Sequence, residues 1–410
     1  MKRILYLLVL VIAAVSFSAC NSESEDPDNY NKQTTIVFMP WSGSANGYQG
    51  LYSYFMQNLD SIEGAILKAG RMNGRVLVFF STSAESSSLY EITLENKQIH
   101  HKTIKSYTGN LYTTANGIAE ILSDVKSNAF ALNYAMVIGC HGMGWTFKND
   151  WTDYPYAAKQ RRDASSITKK GSTNLWHPTR FYGSVDDLNS YATDIETLDA
   201  GIREAGLKMQ YILFDDCYMA NVETAYQLKD VTNFLVGSTS EIMAEGMPYQ
   251  SMWTSLASPT PAYETITAAF HQFYSKFNPP CGTLSVIDCR KLDRLAAQMK
   301  LINEKYQFDS NDLDSLQTLD GFDQSIFFDM KDYVEHLCKD NDMLNDFNAL
   351  LTQTVKSTVH TDSIYSAIYP FRGGLFIKIN RFSGITISDP SINRVALKGK
   401  EKTSWWKASH

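Results

Sequence analysis

Close cysteine pairs are missing from this chain. Its six cysteines are Cys20, Cys140, Cys217, Cys281, Cys289 and Cys338, and none has the C-x2-C spacing that a structural zinc site needs. No G-x-S-x-G elbow occurs either, so a serine hydrolase of the α/β type has no candidate nucleophile. Excess positive charge is also lacking. The formal charge is -7, which offers no overall field to attract nucleic acid or an anionic bilayer. The one basic cluster, Lys159-Gln160-Arg161-Arg162 followed by Lys169-Lys170, has no interleaved aromatics and reads as an exposed loop. There is no internal repeat. What remains is an ordinary folded composition, 44% hydrophobic and 20% charged over 410 residues, long enough for two or three domains.

The only long apolar run stands at the N-terminus. Met1-Lys2-Arg3 supplies positive charge, Ile4 to Val15 is almost unbroken apolar sequence, and Phe17-Ser18-Ala19-Cys20 closes it with small residues. Residues 1–20 therefore read as a signal peptide, since the run is shorter than the ~20 residues that cross hydrocarbon. The ending resembles the bacterial lipobox, with Phe17 where Leu is usual, which implies lipidation at Cys20. Residues 21–33 open with Asn21-Ser22-Glu23-Ser24-Glu25-Asp26-Pro27-Asp28, a polar acidic tether with nothing to pack. An exported lipoprotein is expected, at the outer membrane or cell surface or facing the periplasm. Without Cys20 five cysteines are left, so at least one thiol is unpaired. Cys281 and Cys289 are either a disulfide across a turn or two separately buried thiols.

Beyond the tether, short apolar runs alternate with helical spacing. Thr34 to Pro40, Arg75 to Phe80, Ala135 to Gly139, Met209 to Phe214 and Phe234 to Ser238 read as buried strands. Leu89 to Leu94 and Ile99 to Ile104 read as an antiparallel pair around Glu95-Asn96-Lys97. Helices are predicted over 51–69, stopped by Gly70, and over 113–126, 194–205 and 221–228. Strands that are apolar throughout and separated by helices predict a mainly parallel sheet covered on both faces. Further on, helices are expected over 263–277, 291–306, 327–338 and 343–355. A strand is expected at 284–288, with late strands at 366–370 and 375–379. No composition break marks a linker.

Open α/β sheets bind ligands beyond the carboxyl ends of their strands, and two of those ends carry unusual residues. His141 follows Ile138-Gly139-Cys140 and precedes Gly142-Met143-Gly144-Trp145. An imidazole there titrates near neutrality and can exchange protons with a substrate. Cys217 follows the strand ending at Phe214 and precedes a helix, whose free amides favour a thiolate. Those amides, together with Gly142, are candidates to hold an oxyanion. Each residue alone also fits a structural role. If the two strands are neighbours, the pair forms a Cys-His acyl-transfer site.

Cys140-His141-Gly142-Met143-Gly144-Trp145 resembles the His-Gly motif of clostripain-like cysteine peptidases, which belong with caspases, gingipains and legumains. Phe214-Asp215-Asp216-Cys217-Tyr218-Met219-Ala220-Asn221 resembles their cysteine motif. The resemblance covers residues 34 to roughly 250. It implies His141 as proton-transfer residue, Cys217 as nucleophile and cleavage after Arg or Lys. Asp215 matches the family aspartate of the primary specificity pocket, where a carboxylate would pair with a basic side chain. Glu241 and Glu245 fall in the loop that supplies a second acidic residue, with Glu245 preferred. Cys140 replaces an acidic or amide residue and is expected to tune packing or redox sensitivity without abolishing activity. The resemblance also implies self-cleavage between histidine and cysteine, for which Lys159, Arg161, Arg162, Lys169 and Lys170 offer bonds in the 155–171 loop. Calcium is a family-based possibility only, with candidate ligands in Asp150-Trp151-Thr152-Asp153 and Asp186-Asp187-Leu188-Asn189, neither of which fits an EF-hand.

The fold class expected is therefore α/β, a caspase-like three-layer sandwich with a C-terminal helical and strand elaboration. Its parts are a catalytic core over 34–250 and an elaboration over 251–410 packed on it. Expected partners are protein or peptide substrates with Arg or Lys at the cleaved bond and the lipid anchor, with no nucleic acid and no second copy. The competing reading is an inactive peptidase-like surface binding protein.

Overall fold

The computed structural model describes residues 31–43, 50–152, 154, 188–368 and 375–410. Cys20, the basic residues at 159–162 and 169–170, and Asp153, Asp186 and Asp187 lie outside them. The strands are β1 Gln33–Met39, β2 Arg75–Ser83, β3 Ser86–Glu95, β4 Gln98–Thr108, β5 Asn133–Gly139, β6 Met209–Asp215, β7 Thr232–Gly237, β8 Thr283–Asp288, β9 Phe328–Asp329, β10 Val355–His360, β11 Ser363–Ser366, β12 Leu375–Lys378 and β13 Thr386–Ile387.

One nine-stranded sheet runs in the order β10-β8-β7-β6-β5-β1-β2-β3-β4. The five strands β2, β1, β5, β6 and β7 pair in parallel, and antiparallel pairs close both margins. The central runs are apolar at every position because both faces are covered. Ile36, Phe38, Met136, Ile138, Ile212 and Phe214 face one core. Val37, Met39, Ala135, Val137, Tyr211 and Leu213 face the other. Helices α1 (Tyr52–Ala69), α5 (Tyr249–Leu256) and α6 (Tyr263–Tyr274) fill the second side. The first side is covered by α2 (Ala115–Asn128), α3 (Ile195–Glu204), α4 (Val222–Leu228), α7 (Leu292–Lys305), α8 (Met330–Leu337) and α9 (Asn341–Thr354). Two short C-terminal helices follow, α10 (Arg394–Gly399) and α11 (Ser404–Ser409). This is the three-layer sandwich the alternating pattern predicts.

Several local expectations shift. The sheet continues into the C-terminal half, where the strand expected at 284–288 is β8 and the further strand β10 lies at its margin. Residues 355–360 form an edge strand whose side chains alternate between half-buried and exposed. Phe328–Asp329 is a strand fragment paired with β13, and the helix expected from 327 begins only at Met330, where the Asp329 carboxylate caps it by accepting from the Asp332 N–H. The first late strand ends at Ser366, pairing Ser363–Ser366 with Leu375–Lys378. Cys281 and Cys289 are separate free thiols in opposite cores, on either side of β8.

The C-terminal segment packs across α4, the helix that follows Cys217. The Thr386 N–H donates to the Ala220 carbonyl at 3.0 Å. The Ser388 N–H donates to Glu223 Oε1 at 2.7 Å, and the fully buried Trp405 meets Tyr226 edge-on. Burial, and secondly the nearby Asp389 charge, push the Glu223 carboxyl up to about 8. An unfolded glutamate ionises near 4.5, so between these values the folded chain holds a proton that the unfolded chain has lost, and stability falls as pH rises through that window. Glu223→Gln keeps an acceptor for Ser388 and removes the ionisation. In thermal melts followed by circular dichroism, the variant should melt above wild type at pH 8 and show little difference at pH 4.5. An equal loss at both pH values would contradict this account.

Candidate active site

The two loops that carry the unusual residues leave neighbouring parallel strands. In the β5–β6 ladder Gly139 stands opposite Asp215, and His141 and Cys217 each come two residues after that pair. The loops then touch. A methyl on Gly142 would fall 2.3 Å from the Cys217 carbonyl oxygen and 2.7 Å from its nitrogen, closer than any real Cβ packs, so only glycine lets the histidine loop lie on the cysteine backbone. One residue back, the Cys140 thiol donates to Asp216 Oδ2 at 3.0 Å and joins the loops by side chains as well. His141 is 5% exposed and Cys217 is fully buried.

Cys217 differs from its expected setting in one respect. Helix α4 starts at Val222 with Asn221 as its cap, too far along the chain to present free amides to the sulfur. The Tyr218 and Ala220 N–H groups instead donate to the carbonyls of Ser240 and Ser238. The donor that reaches Sγ is the Ile242 N–H, at 3.4 Å, from the loop after β7. The same sulfur lies 3.8 Å from the Ile242 carbonyl, to which the thiol donates.

Tyr218 holds the bend beyond Cys217. Its φ of 65° is left-handed, a conformation that costs a non-glycine residue about 1–2 kcal/mol. The surroundings fix it at every polar atom. Besides the N–H bond to Ser240, the Tyr218 carbonyl accepts from Asn221 Nδ2 at 2.6 Å, and its hydroxyl donates to Glu241 Oε1 at 2.8 Å. The ring stacks on Phe327 with centroids 4.8 Å apart. The other histidine-loop glycine, Gly144, lies against the same Phe327, whose ring atoms come within 2.7 Å of where a Cβ would stand. Phe327 therefore sits between the two loops. Its N–H is bound by the buried Asp320 carboxylate, which also accepts from Phe322 and Ile326.

Asp215 is fully buried, and its Oδ2 accepts from the Tyr249 hydroxyl at 2.7 Å on the Cys217 side of the sheet. Glu241 is buried and also accepts from Ser366 and from the Ala367 N–H. Glu245 is exposed, and its charge bears on Cys281, which it helps to raise after burial has done most. The apolar strand β7 followed by Ser238-Thr239-Ser240-Glu241 is a third polar strand end, and that signal was present in the sequence. Phe327 and Asp320 had none, since nothing local marks a residue that acts 100 positions away.

A caspase-like sandwich with a histidine loop and a cysteine loop in contact at the carboxyl ends of adjacent strands defines a class, the cysteine peptidases of that fold. The Clostripain family profile matches residues 179–387. A secreted C11 cysteine protease from Bacteroides thetaiotaomicron, "iotapain", is 42% identical over 93% of this chain and 100% of its own, with a TM-score of 0.79. A clostripain from Bacteroides thetaiotaomicron ATCC 29148 in complex with the peptide inhibitor BTN-VLTK-AOMK is 51% identical over 54% of this chain and 96% of its own, with a TM-score of 0.52. An inactive zymogen C11 protease from Parabacteroides distasonis shares the fold at 22% identity, covering 93% of this chain and 99% of its own, with a TM-score of 0.71. No curated protein matches the chain. The chain belongs to the clostripain family and is a cysteine endopeptidase of that type.

The contact between Gly142 and Cys217 makes a direct prediction. Gly142→Ala must push the loops apart, and a displacement of about 1 Å costs on the order of 10²-fold in rate. Steady-state kinetics should show kcat/KM reduced by about that factor. An unchanged kcat/KM would mean that the loops do not meet as described.

Proposed function

We propose that Cys217 is the nucleophile and His141 the proton-transfer residue of peptide-bond cleavage after Arg or Lys. The Cys217 sulfur bonds to the scissile carbonyl carbon, the C–N bond breaks, and His141 gives the leaving amine its proton. Water then hydrolyses the thioester, returning the thiol and releasing the acid. Gly142 is the proposed oxyanion donor, because its backbone lies against that of Cys217. The observation that carries this reading is that close approach, which only adjacent strand ends allow.

Asp215 is the proposed partner of the substrate's cation. A buried carboxylate oriented by a tyrosine hydroxyl discriminates strongly between a basic side chain and a neutral one. The peptide of the inhibitor bound to the 51% identical clostripain reads VLTK, with lysine beside the AOMK group, which supports a basic preference here. Glu245 remains the candidate second acid. Its exposure allows long-range attraction of a cation, and Glu241 is committed to Tyr218, Ser366 and Ala367.

Cys217 and Asp215 are covered in the intact chain, which supports activation by self-cleavage at Lys159, Arg161, Arg162, Lys169 or Lys170. Calcium is implied by the family resemblance alone. Among the described residues no group of three or more His, Cys, Asp or Glu could hold a metal. Asp150, the described acid of the candidate set, has the Lys402 ammonium 3.6 Å from Oδ1, while its buried Oδ2 has no hydrogen-bond partner among the described residues.

Fluorogenic peptides ending in Arg, Lys, Asp or Ala test the reaction. Wild type should turn over the Arg and Lys members, and Cys217→Ala and His141→Ala should lose at least about 10³-fold. The same Cys217→Ala protein should accumulate as one full-length band where wild type gives two fragments. Residual hydrolysis by Cys217→Ala at the wild-type rate would move the nucleophile elsewhere.

We also propose export and lipidation at Cys20. The 42% identical relative is described as secreted, and no helix among the described residues is long and apolar enough to cross a membrane. Cells fed labelled palmitate should label wild type and not Cys20→Ser. Equal labelling of the two would sink the assignment.

A further inference from the structure

A cavity adjoins His141 on the side of the sheet away from the Cys217 sulfur. Its walls include Phe38, Ile138 and Leu198, which belong to the core opposite that of Cys217, together with Trp41 and Tyr112. Trp41 and Tyr112 are 6% and 1% exposed, and among the described residues neither the indole Nε1 nor the phenol oxygen has a hydrogen-bond partner. Buried N–H and O–H groups are nearly always paired because leaving one unpaired is costly. Two orphaned donors on one cavity beside a proton-transfer histidine mark a place where an acceptor is bound and later released.

The order of groups across the rim says which part of a substrate reaches it. This step rests on the reading of Cys217 and His141 given above. Asp215 and its tyrosine lie on the Cys217 side and take the basic side chain, the scissile carbonyl meets the sulfur, and the leaving amine meets His141. The chain beyond the leaving amine continues toward the cavity on the far side. We propose that this cavity is the subsite for the residue immediately after the cleaved bond, and that it takes a neutral side chain with an apolar stem and a terminal carboxamide. The stem packs against Phe38, Ile138 and Leu198. The amide carbonyl accepts from Trp41 Nε1 and the Tyr112 hydroxyl. Asp194, Asp216 and Lys148 also border the space; two carboxylates stand against one ammonium, whose Nζ already donates to the Ala192 carbonyl at 3.1 Å, so a carboxylate of the same shape is disfavoured.

Internally quenched peptides VLTK-X, with X as Gln, Glu, Leu or Ala, test this on the self-processed enzyme. Wild type should cleave the Gln peptide with kcat/KM about tenfold above the Ala and Leu peptides, and the Glu peptide should be poorest. Trp41→Phe and Tyr112→Phe keep the rings and remove one donor each, so each should lower the Gln-to-Ala ratio of kcat/KM by about tenfold. A wild-type ratio near one at every X, with the donors satisfied by an ordered water only, overturns the subsite whether or not the variants fold. Turnover surviving in Cys217→Ala would instead count against the catalytic assignment, so the two failures are separable.

Discussion

Parallel pairing of β5 with β6 is the constraint on which the rest depends. Parallel neighbours carry their carboxyl ends to the same rim, and the register that sets Gly139 against Asp215 brings the histidine and cysteine loops out level with each other. A slip of one residue would turn every inward side chain of β6 to the other face, sending Asp215 and Cys217 away from Tyr249 and Ile242. The apolar cores on both faces therefore fix catalytic geometry as well as stability. Ile212 and Phe214 fill one side while Tyr211 and Leu213 fill the other.

Adjacent loops still have to be held in an unusual shape, and the C-terminal half does this. The left-handed turn at Tyr218 costs about 1–2 kcal/mol. A stacked aromatic pair returns about 0.5–1.5 kcal/mol, and each net hydrogen bond about 1 kcal/mol. Phe327 supplies the stack and meets Gly144 of the other loop, and Glu241 takes the Tyr218 hydroxyl. These contacts more than offset the local strain. They also make the geometry of one loop depend on that of the other through a shared ring.

Much of this was legible in the sequence, for identifiable reasons. β1, β5 and β6 each centre on an apolar run (36–39, 134–138 and 211–214) because both of their faces are covered, and such runs can be read without knowing the partner strands. His141 and Cys217 stood out as polar groups straight after those runs, with glycine beside the histidine. The edge strand β10 was harder. Its alternation is weak, it follows directly on α9, and its strand character comes from pairing with β8, which lies some 70 residues earlier. The amides expected to serve Cys217 were misplaced because a helix boundary is set by its cap, here Asn221, whose side chain is shared between Tyr218 and Thr224. Phe327 and Asp320 leave no local trace. Their partners are defined by the folded chain alone.

The bond from Thr386 to Ala220 spans 166 residues and pins the backbone three positions beyond Cys217. A ribosome delivers Ala220 a full 166 residues before it delivers Thr386, so Cys217 is made well ahead of the segment that supports its loop. The cysteine loop therefore takes its full set of contacts only once Thr386 has joined the fold.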